Sequence, residues 1–201
     1  MKPETEPAQS SRQRVLQAAE QLFSEHGYAA VTLRDIADAL GIKQASLYYH
    51  APGGKEELFV QVTERGLKRH QQGLESAIAS AGMNLRDQLQ AAARWLLSQP
   101  ALNYGRMLQS DMRAISPHEA ERLRVSAYRS LIAPLTQVFA VVQSHSSDHA
   151  AKTVYLAGAF LSIIEGIHNL PTTFSDQPKE AMADYLIDTW LNGLQPGSYS
   201  S

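Results

Sequence analysis

Residues Val31 to Leu58, reading VTLRDIADALGIKQASLYYHAPGGKEEL, constrain this chain more than any other stretch. They spell a helix, a tight turn and a second, shorter helix. Thr32 is placed to accept a hydrogen bond from the free first-turn N–H groups of a helix over about Leu33 to Leu40. Gly41 follows the last apolar residue, where a left-handed backbone costs glycine nothing, and the chain re-enters a helix from Gln44 to His50 at a steep angle. Leu47 is the core residue of that second helix, and the polar and aromatic side chains around it are those of an element that reads DNA.

Helical punctuation continues on both sides. Residues 1–10 hold two prolines among small polar residues and read as a flexible arm. From about Ser11 to His26, Val15, Leu16, Ala19, Leu22 and Phe23 recur at helical spacing, and Gly27 ends the run. A longer helix is predicted from about Lys55 to Ala81, with Leu58, Val62, Leu67, Leu74 and Ile78 as a broken apolar stripe and Gly82 as its stop. Asn84, Asp148 and Ser175 or Asp176 are further helix starts. Ser116-Pro117-His118-Glu119 combines a cap, a proline at the first helical position and a capping-box glutamate. Segments near 85–98, 101–113, 117–144, 149–170 and 178–194 result, with Pro134 bending or dividing the third. No alternating strand pattern of useful length occurs. The expected fold is all-α with roughly nine helices: a flexible arm over 1–10, a three-helix module over 11–54, and a helical domain over 55–197.

Composition narrows the function. In 201 residues, 44% of them hydrophobic, there is enough apolar material for one large core or a small module joined to a larger domain. The absence of cysteine excludes disulfides, thiolate catalysis and cysteine-based metal sites. The polar N-terminus and the lack of an apolar run near the roughly 18 residues of a membrane span lead us to expect a cytoplasmic protein with no membrane partner. Residues 1–70 carry nine basic and nine acidic side chains, and residues 71–201 nine and eleven, so no basic tail drives binding. Attraction to DNA would rest on where Arg12, Arg14, Arg34, Lys43 and Lys55 lie.

Arg14 to Leu58 resembles the N-terminal pattern of TetR-like (tetracycline-repressor-like) transcriptional regulators almost position by position; the rest matches only in length, helicity and layout. The resemblance implies a homodimeric repressor, not an enzyme, that binds a palindromic operator on double-stranded DNA. It also implies a helical domain that releases the DNA when a small apolar or amphipathic effector binds. Carried over by position, Thr32 and Arg34 would approach phosphates, and Lys43, Gln44, Ala45 and Ser46 would face the major groove. Gln44 suits adenine, Lys43 guanine acceptors or a phosphate, and Ala45 a thymine methyl. Tyr48, Tyr49 and His50 would touch the DNA backbone, with Lys55 on another phosphate. Two departures stand out: Ala51 occupies a position where the family commonly has an aromatic residue, and the turn APGGK is one residue longer than the frequent form. A rival reading keeps the helical domain as a ligand-binding or enzymatic body whose N-terminal module only mediates assembly.

The C-terminal part offers candidates for the effector and for the second copy. Trp95, Tyr104, Met107, Leu108, Met112, Tyr128, Phe139, Tyr155, Phe160 and His168 are the aromatic, methionine, leucine and histidine residues that would surround a pocket; Arg94, Arg106, Glu165 and His168 are its candidate polar anchors. Between Val154 and Ile167 apolar residues occur on nearly every side, which requires cover on more than one face. Gly158, Ser162 and Gly166 form a stripe of small residues along it, and Met182, Tyr185, Leu186, Thr189 and Trp190 make a second stripe. The two helices would pair with those of a second copy or, equally, are ordinary core helices of a monomer. His145 with His149, and Glu165 with His168, have metal-ligand spacing, but the further glutamates of a carboxylate-bridged site are missing. No phosphate loop, nucleophile elbow or HExxH is present, so neither a metal, a cofactor nor catalysis is expected.

Overall fold

The computed structural model describes residues 11–100, 103–140, 149–171, 173 and 176–192. Among them all regular structure is helical, and the chain divides into two compact units. The predicted arm over 1–10, the cap residues Asp148 and Ser175, and His145 lie outside the described residues.

The first unit takes in residues up to Gly66 together with Tyr104–Arg124. It opens with α1 (Ser11–Ala30), α2 (Leu33–Leu40) and α3 (Gln44–His50), followed by the start of α4 (Gly54–Ser80). Its other segment holds α6 (Tyr104–Gln109), a 3₁₀ turn (Asp111–Arg113) and most of α7 (Pro117–Ala127). Val15, Ala19 and Phe23 of α1 are buried at the predicted spacing. Phe23, Tyr28 and Phe59 form an aromatic cluster, with Phe59 edge-on to Phe23 at 5.3 Å between ring centres and 5.0 Å from Tyr28. The predicted module boundary at 54/55 falls at the start of α4, and the two compact units divide after Gly66, within that helix.

The second unit contains the remainder of α4, α5 (Leu85–Ser98), a single π turn (Tyr128–Ile132), α8 (Ala133–Ala140), α9 (His149–Asn169) and α10 (Lys179–Asn192). Leu89, Ala92, Ala93, Leu96 and Leu97 give α5 one continuous buried face. α5 packs on α8, α9 and α10, and α8 lies along α9. Phe139 and Phe160 flank the Trp190 ring at 5.6 and 6.5 Å. On the polar side, Arg86 makes a two-pronged pair with Asp188 and Arg94 reaches Asp184 at 3.2 Å, so two α5 guanidinium groups grip α10.

Three local expectations are corrected. The segment 101–113 is not one helix: Ser110 interrupts it, and Asp111 turns inward where it is 4% exposed. The segment 117–144 bends upstream of its proline. Pro134 has no N–H and its ring crowds the carbonyl four residues back, and one wide turn absorbs the conflict, with the Ala133 N–H donating to the Tyr128 carbonyl five residues away. Counting Pro117 to Ala140 as one bent helix gives nine among the described residues. Finally, Glu119 does not close a capping box on Ser116. Glu56 takes that place, accepting from the Ser116 hydroxyl at 2.6 Å and from its backbone N–H at 3.3 Å, while Glu119 pairs with Arg122.

Candidate nucleic-acid interface

The exposed surface of α3 depends on how firmly α2 is fixed. Thr32 is extended, its hydroxyl accepts from the Asp35 N–H at 3.2 Å, and the Asp35 carboxylate accepts from the Thr32 N–H at 2.8 Å, a complete capping box. These bonds hold the Asp35 carboxyl below the usual carboxylate range, the side-chain bond from Thr32 first. At the other end Gly41 has φ 65° and ψ 31°; its N–H and that of Ile42 close on the carbonyls of Asp38 and Ala37. Ile36 and Ala37 bury one face of α2, and Leu47, 1% exposed, is the matching anchor of α3.

Around Leu47 the other α3 side chains stand outward. Lys43, Gln44, Ala45 and Ser46 are exposed, Tyr48 is half exposed, and Tyr49 is 86% exposed, an unusual position for a large ring with nothing to cover it. His50 is half-buried, its Nε2 3.2 Å from the Ser11 hydroxyl and its ring edge-on to Tyr49. Arg34 extends into solvent beside Asp38, a 3.7 Å surface pair too weak to hold it. Of the predicted DNA contacts, Thr32, Arg34, Lys43, Gln44, Ala45, Ser46, Tyr48 and Tyr49 are exposed and His50 is half-buried. Lys55 differs: its ammonium donates to the Tyr28 carbonyl at 2.8 Å and lies 4.1 Å over the Tyr28 ring, so it braces α1. Burial, with the Glu56 charge, raises the pKa of the Tyr28 phenol. Ala51, 1% exposed, ends α3 in the core, where a larger ring would have to find room.

A second device, absent from the sequence reading, secures the far end of α1. Gly27 adopts φ 82° and ψ 167°, which breaks the helix and strands its last carbonyls. Arg106 covers them, donating to the carbonyls of Phe23 at 2.9 Å and Ser24 at 2.5 Å, with Glu25 at 3.4 Å. Asp111 accepts the Tyr28 N–H at 2.9 Å and lies 3.5 Å from the Arg106 guanidinium. A Cβ on Gly27 would stand 3.1 Å from the Asp111 carboxylate in a backbone conformation that side chains avoid.

Residues 15–62 match the family model described as bacterial regulatory proteins of the tetR family. Over those residues the chain is similar to the TetR family. The transcriptional repressor KstR2 of Mycolicibacterium smegmatis is 41% identical over 83 residues, which are 38% of this chain and 40% of that one. The chain spans between 27% and 40% of the first curated relatives it matches. A TetR regulator from Legionella pneumophila superposes with a TM-score of 0.72 at 25% identity, covering 92% of this chain and 99% of the other. AibR, solved with isovaleryl coenzyme A and operator DNA, superposes with a TM-score of 0.70 at 17% identity over 89% and 96% of the two chains.

The predicted effector residues are divided between the two units. Tyr104, Met107, Leu108 and Met112 belong to the first unit, and Trp95, Tyr128, Phe160 and His168 to the second. Met107, Met112 and Phe160 are buried core residues, Tyr128 and Tyr155 are exposed, and Phe139 packs on Trp190. Burial and the nearby Lys179 lower the His168 pKa, and the Lys179 ammonium donates to the His168 carbonyl. The second unit has an open groove of about 470 Å³ lined by Ala77, Ser80, Ala81, Asp87, Gln90, Ala91 and Arg94; of the predicted residues only Arg94 reaches it.

One buried residue was missed. His70 is 2% exposed, its Nδ1 has no hydrogen-bond partner, and burial followed by the Arg69 charge pushes its pKa down to about 4. Its sequence signal was position: with Leu67 and Leu74 it falls at helical spacing on a buried stripe. The predicted dimer residues divide. Gly158 and Gly166 have nothing within 4 Å of an added Cβ, Ser162 is exposed with its hydroxyl turned back to the Gly158 carbonyl, and Tyr185 is 68% exposed. Thr189 is half-buried, and Trp190 packs within its own unit.

Proposed function

We propose that this chain is a transcriptional repressor that binds a palindromic operator as a homodimer and leaves it when a small molecule binds the second unit. The observation that carries the reading is the α3 surface. Gln44, Ala45, Ser46, Tyr48 and Tyr49 face solvent on a helix whose only buried residue is Leu47, between a fully capped α2 and a braced α1. Gln44 and Lys43 would take base edges, Ala45 a methyl group, Ser46 a base edge or phosphate, and Thr32, Arg34, Tyr48, Tyr49 and His50 the sugar-phosphate backbone. With Lys55 turned inward, the phosphate contacts fall to Thr32, Arg34, the two tyrosines and His50. The domain that binds DNA is the whole first unit, residues 11–66 with 104–124.

A second copy would complete the molecule. The open stripe of Tyr155, Gly158, Ser162 and Gly166 on α9, with Tyr185 on α10, suits close helix approach, and two α3 helices would then sit about one turn of DNA apart, roughly 34 Å. AibR has the same fold and holds both an operator and a coenzyme A ester, which supports release by a ligand that favours a different helix spacing.

Fluorescence anisotropy of the purified protein on duplexes tiling the DNA upstream of its gene tests the proposal. We expect nanomolar binding to one palindromic segment, at least about a thousandfold tighter than to a scrambled duplex. Uniformly weak binding that falls steeply with salt would leave only phosphate attraction and refute operator recognition.

A further inference from the structure

Among the described residues, two buried ring nitrogens of the second unit lack a hydrogen-bond partner. His70 Nδ1 is one and Trp95 Nε1 the other. They belong to adjoining surfaces of α4 and α5. The Trp95 indole packs directly against Gly73, where an added Cβ would fall 1.9 Å from Cε2 and 2.6 Å from Nε1. His70 precedes Gly73 by three residues, one turn along the same face of α4, a spacing of roughly 5–6 Å between Cβ positions. The open groove begins one turn further on along both helices, since Ala77 follows Gly73 by four residues and Ala91 precedes Trp95 by four.

Buried polar groups in folded proteins nearly always have partners, so two neighbouring exceptions beside a groove call for a group the chain does not supply. We propose that His70 and Trp95 are the polar anchor of a ligand site: a hydroxyl or carbonyl oxygen of a small, mostly apolar molecule, entering by the alanine-lined groove, accepts the Trp95 Nε1–H and engages His70 Nδ1. The chemistry narrows the class. An indole N–H is a donor only, so the occupant must present an acceptor. The imidazole stays neutral at physiological pH and can either donate to a carbonyl or accept from a hydroxyl, and it has no charge to balance a carboxylate. Leu67 and Leu74, both fully buried, flank His70 on its helix and suit an apolar body. The inference rests on the ligand-responsive reading above and names the chemistry of that ligand.

Two-dimensional NMR of the full-length, ¹⁵N-labelled protein without DNA tests it, reading the Trp95 indole resonance assigned by Trp95→Phe. Cyclohexanol and cyclohexanone should shift this resonance saturably, and cyclohexane should not. His70→Leu should weaken cyclohexanol binding by about fivefold or more, the loss of one neutral hydrogen bond. His70→Gln, which keeps a donor and an acceptor, should restore part of it, with circular dichroism confirming that both variants are folded. No shift from either oxygen-bearing probe, an equal shift from cyclohexane, or unchanged affinity in His70→Leu would overturn the proposal. Operator anisotropy with the same probes separates the two ideas. A saturable shift that leaves operator affinity unchanged keeps the site and removes its link to DNA release.

Discussion

Replacing Asp111 with alanine removes two interactions at once. The Tyr28 N–H loses its acceptor and the Arg106 guanidinium loses its counter-charge. Removing one member of a buried ion pair costs about 3–5 kcal/mol, and a buried N–H without an acceptor about 1–3 kcal/mol. Here the Asp111 side chain is 6% exposed but that of Arg106 is 27% exposed, and Arg106 keeps its bonds to the α1 carbonyls. Water can therefore recover part of the guanidinium's solvation, and the expected loss is about 3 kcal/mol, below the sum of the two ranges. At roughly 2–4 °C per kcal/mol for a domain of this size, Tm should fall by about 6–12 °C. Circular dichroism melts and urea titrations would measure it. Asp111→Asn retains an oxygen for Tyr28 and should lose less than half as much. The double substitution Arg106→Met with Asp111→Leu should recover part of the alanine loss, because no charge is left stranded. An alanine variant within about 1 kcal/mol of the parent would refute the argument that this pair holds the end of α1.

Four further outcomes follow from the same geometry. Thr32→Ala should lower stability by about 1 kcal/mol in urea titration, with Thr32→Ser nearly neutral, because the cap requires the hydroxyl and not the methyl. His70 should make the protein acid-sensitive. Its folded pKa of about 4 lies below the ordinary 6.5, so the unfolded chain takes a proton that the folded one refuses. Stability is then full above about pH 6.5 and falls by ~3 kcal/mol as the pH drops to 4, and His70→Gln should flatten that part of the curve. In anisotropy titrations, Lys43→Ala should weaken operator and scrambled DNA alike if it meets a phosphate, and reduce the salt slope by about one. Gln44→Ala should instead relax preference at one base position, at a cost of about 1–3 kcal/mol. Equal effects of Gln44→Ala on both duplexes would exclude base reading by that residue.

What could be read in the sequence was local. Thr32 with Asp35, Gly41 and Leu47 each act within a few residues of themselves, and α2 and α3 occur where those signals put them. The buried face of α5 follows from helical spacing alone. What stayed hidden depends on partners distant in the chain. Asp111 meets Tyr28 across 83 positions, and Glu56 displaces Glu119 at Ser116 from 60 positions away, so no window of sequence contains both members of either pair. The position of Lys55 in the pattern points to a phosphate and says nothing about the Tyr28 ring and carbonyl that it meets instead. Pro134 signalled a bend, but the wide turn forms upstream, because a proline disturbs the carbonyls that precede it. In sequence His70 is one polar residue between Leu67 and Leu74, and nothing in its neighbours announces a buried Nδ1 without a partner.

The first unit is discontinuous, and this bears on how such proteins can be recombined. Joining the reading head of one regulator to the sensor of another by a single crossover near residue 54 or 66 would separate Gly27 and Tyr28 from the Arg106 and Asp111 that secure them. A working chimaera needs two crossovers more, so that residues 104–124 travel with the head they serve. The same arrangement ties two distant stretches of the gene to one another: a substitution at position 106 or 111 is inherited as a change to the DNA-binding half, though it is written in the middle of the chain.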